Sequence, residues 1–324
     1  MRLAHPTSTV TAWLLNLGVL AAFGFVVEHF WGWGRLLAPW GLIAPTTILL
    51  AIVGMLTSYA LRGTRIYLAE NAIPRNAWFT CLRLILINNA LNLILPARAG
   101  EVSFPVLMQR WFGIDLAQAA GTLFWLRLLD LHMLATVAAA CAASGFLAQV
   151  DGLSQLVWLG AAAAAASPLI LYAMRAPLQR RFAARSGKLA GLIAKALAGL
   201  PNQPSALALD LTLTWAAWGV KLAALGAVLG LLANVSPLAG TLGAIGGDLS
   251  TVLPLHAPGG FGTYEAGAMA LLAPASGVAE LGPLLAAAVN LHLLVLTTAL
   301  IAGALAWLLG GRSARAHDES NVNR

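Results

Sequence analysis

Apolar residues in this chain run in long stretches rather than in alternation. Stretches near 10–30, 41–61, 118–148, 153–174, 206–232 and 284–309 each reach the roughly 20 residues that a helix needs to cross the hydrocarbon core of a bilayer. Two further apolar regions, 77–112 and 238–273, are interrupted in the middle by Pro and Gly. A membrane β-barrel would show alternating segments of about ten residues instead. The first stretch is long enough to stay in the membrane rather than be cleaved as a signal peptide. The pattern predicts an all-α, polytopic helical membrane protein with about six full spans and two broken or re-entrant hairpins. It forms a single transmembrane domain over 1–324, embedded from about 10 to 310, with a tail at 311–324.

Composition agrees with this pattern. Of 324 residues, 60% are hydrophobic and only 10% are charged, against about 25% charged in soluble domains. The mean hydropathy is +0.81. Disorder, a nucleic-acid module and an ordinary cytosolic enzyme are excluded. The net charge of +7 would suggest nucleic acid in a soluble protein, but here placement matters more than the sum. Cys81 and Cys141 lie in apolar stretches and read as small hydrophobes rather than as a disulfide or metal pair.

Cytoplasmic connections carry an excess of Lys and Arg. The connection read at 62–76 holds Arg62, Arg65 and Arg75, and the one at 175–205 holds Arg175, Arg180, Arg181, Arg185, Lys188 and Lys195. The tail holds Arg312, Arg315 and Arg324, whereas the opposite connections hold only Arg35. Both termini and the basic connections are therefore expected on the cytoplasmic side of the membrane. An even number of crossings must separate 62–76 from 175–205, so 77–112 is net-neutral, and the same count makes 238–273 net-neutral from the other side. The 175–205 segment reads as an amphipathic helix pair against anionic headgroups, or as an ordinary positive-inside loop.

The two broken regions resemble each other. The first tip reads Leu95-Pro96-Ala97-Arg98-Ala99-Gly100-Glu101, and the second runs from Leu253-Pro254 through Pro258-Gly259-Gly260-Phe261-Gly262 to Glu265. Each has an apolar arm, a Leu-Pro, a Gly-containing turn and a Glu opening a second arm. Entering from opposite sides, they form the pattern of an inverted repeat. Helix breaks free backbone N–H and C=O groups, which survive in lipid only where protein or water satisfies them. The exposed helix N-termini attract anions, and Arg98 adds a fixed charge beside the first tip.

Other charges fall within the apolar stretches, where each costs at least ~2.5–3.5 kcal/mol unless it pairs or faces water. Arg127 and Asp130, three apart, share a helix face and read as an ion pair, either lining the interior or locking two helices. Lys221 is placed to neutralise an acid such as Asp248 or Glu265, and Asp210, near a span end, to snorkel or cap. Asn88 and Asn92, one turn apart, present amides that bind headgroup oxygens or bridge helices. Gly226 and Gly230 form a GxxxG suited to close helix packing. His132, His256 and His292 are too scattered for a metal site. No Walker A, GxGxxG, HExxH or GxSxG string occurs, so no cofactor is implied.

At these motifs the chain resembles the lysylphosphatidylglycerol synthase transmembrane-region family, also called the flippase-like domain family. The run from Asn88 to Glu101 is similar to its first signature, and Pro258-Gly259-Gly260-Phe261-Gly262-Thr263-Tyr264-Glu265 to its second. Arg127 and Asp130 match an "ERxxD" position, where Trp125-Leu126 replaces the usual acid before the Arg. The resemblance spans about 10–310. It implies a stand-alone membrane domain without the aminoacyl-transferase domain, acting in envelope-lipid, polyprenyl-linked glycolipid or hopanoid pathways.

The resulting expectation is an inner-membrane lipid translocator rather than an enzyme. The residues expected to bind and move the lipid are Asn88, Asn92, Pro96, Arg98, Gly100, Glu101, Arg127, Asp130, Pro258, Gly259, Gly260, Gly262 and Glu265. Arg98 holds a headgroup oxygen, and Glu101 and Glu265 serve as counter-charges or proton carriers. Membrane lipids are the expected partners. Two alternatives are an accessory protein that docks a lipid-modifying enzyme through 175–205, and an intramembrane headgroup transferase using Arg127, Asp130 and Glu101 as acid–base groups.

Overall fold

The computed structural model describes residues 21, 24, 25, 28, 29, 32–70, 72–95, 100–141, 154–251 and 258–322. The expected first span at 10–30 and the tip residues at 96–99 and 252–257 therefore lie largely or wholly outside the described residues. Every regular element among the described residues is helical. Helix α1 (Trp33–Leu37) and a 3-10 turn (Ala38–Leu42) precede α2 (Pro45–Ala69), α3 (Trp78–Ile94), α4 (Ser103–Phe112), α5 (Leu116–Cys141) and α6 (Ser154–Ala183). Then come α7 (Lys188–Leu197), α8 (Pro204–Ala233), α9 (Pro237–Ser250), a 3-10 turn (Pro258–Gly260), α10 (Thr263–Ser276) and α11 (Leu281–Val322).

Five of these helices are long and apolar enough to span: α2, α5, α6 from Trp158, α8, and α11 up to Gly310. The chain is thus a polytopic helical membrane protein. The broken regions behave differently. Helices α3 and α4 have 17 and 10 residues, about 25 and 15 Å at 1.5 Å per residue. Helices α9 and α10 have 14 each, about 21 Å. None covers a hydrocarbon core of ~30 Å, so these regions are pairs of part-length helices rather than pairs of full spans.

Three boundaries differ from the sequence reading. Helix α2 does not end at 61 but runs to Ala69, so Arg62 and Arg65 sit on a helix and not in a cytoplasmic loop. Two buried ion pairs, described below, explain why a membrane helix tolerates them. Helix α6 continues past 174 to Ala183, so the expected helix pair at 175–205 is the end of a span helix followed by α7. The tail is helical as far as Val322, as a continuation of α11.

The chain divides into two compact units. One comprises Met1–Ala51, Leu91–Gly100 and Ala224–Thr297; the other comprises Ile52–Ala90, Glu101–Ala223 and Thr298–Arg324. In the first unit, Asn290 of α11 is fully buried. Its amide accepts from the Trp40 indole at 2.6 Å and donates to the Leu36 carbonyl at 2.6 Å, which fixes the 33–42 segment. The glycine pattern makes the rest. A Cβ on Gly226 would strike Thr241, and one on Gly240 would strike the Gly226 and Gly230 backbone, so the GxxxG of α8 packs α9 at backbone distance. Gly246 and Gly267 meet in the same way between α9 and α10. Gly246→Ala is expected to destabilise the protein by about 1–3 kcal/mol through overpacking. Gly219→Ala, with nothing within 4 Å, should be neutral or stabilising by up to about 1 kcal/mol. Thermal unfolding of the two variants in detergent makes the comparison.

In the second unit, Gly63 of α2 packs on Leu82 of α3, Gly303 of α11 on Leu86 and Ala90, and Gly121 of α5 on Ala196 of α7. Glu70, just past the end of α2, accepts from Thr122 Oγ1 at 2.8 Å and Gln118 Nε2 at 3.2 Å near the start of α5. Thr122 also reaches the Gly199 carbonyl after α7. Ala69, Glu70, Gln118, Asn202 and Ala206 line one cavity of about 310 Å³. The connection after α2, the start of α5 and the α7–α8 connection therefore lie at one end of this unit. The chain leaves that end as α3 and is back there when α5 begins. Burial holds the Glu70 carboxyl above its ordinary range, with both hydrogen bonds opposing the shift.

Candidate functional site

The second unit gathers its charges around Asp130. Arg62 and Arg65, three apart on α2, share a face and both reach this carboxylate, at 3.4 and 3.6 Å. Arg127, one turn earlier on α5, reaches it at 3.5 Å and also holds Glu101 at 3.0 Å. The Trp218 indole of α8 donates to Asp130 at 2.9 Å. The face of the same ring carries the Arg62 guanidinium at 4.5 Å and the Lys221 ammonium at 4.9 Å, which is cation–π geometry. Arg65 also donates to the Thr214 hydroxyl. Thr214 in turn donates to the Asp210 carbonyl at 2.6 Å, and the Asp210 carboxylate accepts from the Trp125 indole at 2.7 Å.

The network is graded from closed to open. Side-chain exposure is 4% for Asp130 and Arg65, 11% for Arg62, 26% for Glu101 and 30% for Arg127. The buried Nε–H groups of Arg62 and Arg65 have no hydrogen-bond partner among the described residues. Three guanidiniums around one carboxylate leave positive character that Glu101 offsets from the open edge. Arg127, shared between the two acids, is the most exposed guanidinium of the network.

The first unit holds the Gly-rich turn. Gly259, Gly260 and Gly262 have φ of 66°, 79° and 80°, a region costly for residues with a Cβ. Glu265, on the first turn of α10, accepts the Gly262 N–H at 2.7 Å. This is half of a capping box, since glycine has no side chain to return the bond. The other Glu265 oxygen pairs with His292 Nδ1 of α11 at 2.7 Å, both groups being buried. Tyr264 stacks on His292 with ring centroids 4.3 Å apart, and Phe261 lies 5.1 Å from it.

The sequence-predicted residues thus fall into separate sets. Glu101, Arg127 and Asp130 come together in one network. Gly259, Gly260, Gly262 and Glu265 form one turn with its cap, beginning at Pro258. Asn88 is buried and donates to Ser103 Oγ at 3.0 Å, tying α3 to α4. Gly100 packs on the backbone of Leu91 and Asn92 so closely that a Cβ would collide, which sets Gly100 against the last turns of α3. Pro96 and Arg98 lie outside the described residues, as does His256.

One expectation is corrected: Asp210 neither snorkels nor caps, but is buried and held by Trp125. Glu265 takes His292 as a partner, and Lys221 stands over Trp218. Sequence reasoning missed Arg62, Arg65, Trp218 and His292. The first two carried a signal, because a spacing of three inside an apolar run that continues through Ile66-Tyr67-Leu68-Ala69 is a helix face. Among the described residues no group of three or more His, Cys, Asp or Glu could hold a metal ion.

A family model described as the lysylphosphatidylglycerol synthase TM region matches residues 13–303. Searches of curated proteins and of solved structures return no match. The matched range takes in both charge networks and both broken regions, and the chain belongs to the lysylphosphatidylglycerol synthase TM region family.

Proposed function

We propose that this chain moves a lipid with an anionic headgroup oxygen between the leaflets of a bacterial cytoplasmic membrane. The observation that carries this reading is the graded cationic network around Asp130, set on helices of spanning length. A headgroup phosphate enters at the partly exposed Arg127 and displaces Glu101 as its partner. Arg62 and Arg65 extend the positive field inward while Asp130 and Trp218 hold them in place. Glu265 and His292 supply a second, buried pair at the Gly-rich turn, and the part-length hairpins rearrange as the lipid passes. The acyl chains stay in the bilayer throughout, so only the headgroup needs a polar path.

The basic stretch from the end of α6 through α7 would face the cytoplasm, and the two broken regions would be halves of an inverted repeat. The test of the headgroup site uses reconstituted protein and a membrane-impermeant quencher of headgroup-labelled lipids. Arg127→Gln should slow leaflet exchange by about tenfold to a hundredfold, the worth of a hydrogen bond to a charged group, whereas Arg127→Lys should retain part of it. Unchanged exchange in Arg127→Gln would remove Arg127 from the path.

A further inference from the structure

Helix α7 has no buried residue. Its apolar residues Leu189, Leu192, Ile193, Ala196 and Leu197 fall on one face at 100° per residue, with Lys188 and Lys195 together beyond its edge. Leu189 and Leu192 are 71% and 54% exposed. The C-terminal end of the helix is nevertheless clamped. Gly121 and Gly199 bring the α5 and α7 backbones into contact, and Lys195 pairs with Asp115 at 2.9 Å. That bond holds the exposed Asp115 carboxyl below its ordinary range.

Between the apolar face of α7 and helices α5 and α6 lies a groove of about 240 Å³, lined by Phe124, Leu171, Ile193, Leu197 and Leu200 among other apolar residues. The end of α6, the turn after it and α7 are strongly basic in sequence. Arg175, Arg180, Arg181, Arg185, Lys188 and Lys195 lie between Asp151 and Asp210 with no acid among them. Arg180, Arg181, Arg185 and Lys188 are exposed, and none has an ion pair among the described residues.

We propose that this surface is a docking site for an anionic phospholipid of the surrounding leaflet, distinct from the translocation path. The groove seats one acyl chain, and Arg181, Arg185 and Lys188 hold the phosphate. Charge complementarity selects the occupant. A fixed apolar groove beside uncompensated cations fits a lipid carrying a net negative charge, whereas a zwitterionic lipid brings its own cation into the same field. Helix α7 then lies in the plane of the leaflet, in the manner of interfacial amphipathic helices.

The test is native mass spectrometry of the full-length protein released from detergent, titrated with dioleoylphosphatidylglycerol or dioleoylphosphatidylcholine. Phosphatidylglycerol should bind preferentially. The triple variant Arg181→Gln, Arg185→Gln, Lys188→Gln should lose that preference on the order of a hundredfold, at roughly fivefold per charge. Its binding of phosphatidylcholine should not change. Ile193→Trp, which fills the groove, should weaken both lipids while leaving the charges in place. The four substituted residues all lie outside the Asp130 and Glu265 networks, so these outcomes do not depend on whether the protein transports. Equal binding of the two lipids by the wild type, or an undiminished preference in the triple variant, would overturn the proposal.

Discussion

Asp130→Ala is expected to cost about 3–5 kcal/mol of stability and to abolish leaflet exchange. Asp130 is the common partner of Arg62, Arg65 and Arg127, at 3.4, 3.6 and 3.5 Å, and the acceptor of the Trp218 indole. Removing it leaves Arg62 and Arg65 buried without a counter-charge, and breaking a buried pair from one side carries a penalty of that size. A double-mutant cycle separates this penalty from the worth of the pair. Asp130→Ala combined with Arg65→Met should recover part of the lost stability, because an apolar replacement of both partners avoids the orphaned charge. Exchange should stay lost in the double variant, since the cationic site is then incomplete. Detergent unfolding and liposome exchange measured on the same preparations distinguish the two effects. Full stability in Asp130→Ala would show that the three arginines do not depend on this carboxylate.

The second large effect is expected at the Gly-rich turn. Glu265→Gln keeps an oxygen to accept the Gly262 N–H but cannot share a proton with His292. His292→Asn keeps a donor near the position of Nδ1 but cannot be protonated. Both variants should fold, and both should slow exchange by about tenfold to a hundredfold, the worth of a hydrogen bond to a charged group. Liposome exchange and thermal unfolding measured on the same preparations make the test. Wild-type exchange rates in both folded variants would remove the Glu265–His292 pair from the path.

Much of this architecture is legible in the sequence, because bilayer thickness and helix rise translate apolar run length directly into spans. The breaks at 95–101 and 253–265 are legible because Pro and Gly interrupt helices for stated steric reasons. The extension of α2 is hidden by the positive-inside rule: Arg62 and Arg65 read as loop cations, although they sit on the helix and their partner is an acid 65 and more residues away. Long-range pairing of this kind leaves no periodic trace. His292 is a lone histidine in an apolar helix until folding brings Glu265 to it. Trp125 and Trp218 count as hydrophobic in any pattern, yet here their indole N–H groups hold two buried carboxylates. A charged residue in an apolar run can be read from sequence as needing a partner; which aromatic or histidine answers it depends on the fold.

The central claim is that the chain itself moves lipid. The most direct measurement uses purified protein in liposomes containing headgroup-labelled phospholipids and a polyprenyl-phosphate lipid. Loss of outer-leaflet signal to an impermeant quencher is followed, with lipid mass spectrometry on the same vesicles. Faster exchange of at least one anionic lipid than in protein-free vesicles, with unchanged lipid masses, is the predicted result. A new lipid mass without exchange would make the chain an enzyme, and neither change across the lipid set would contradict intrinsic translocation.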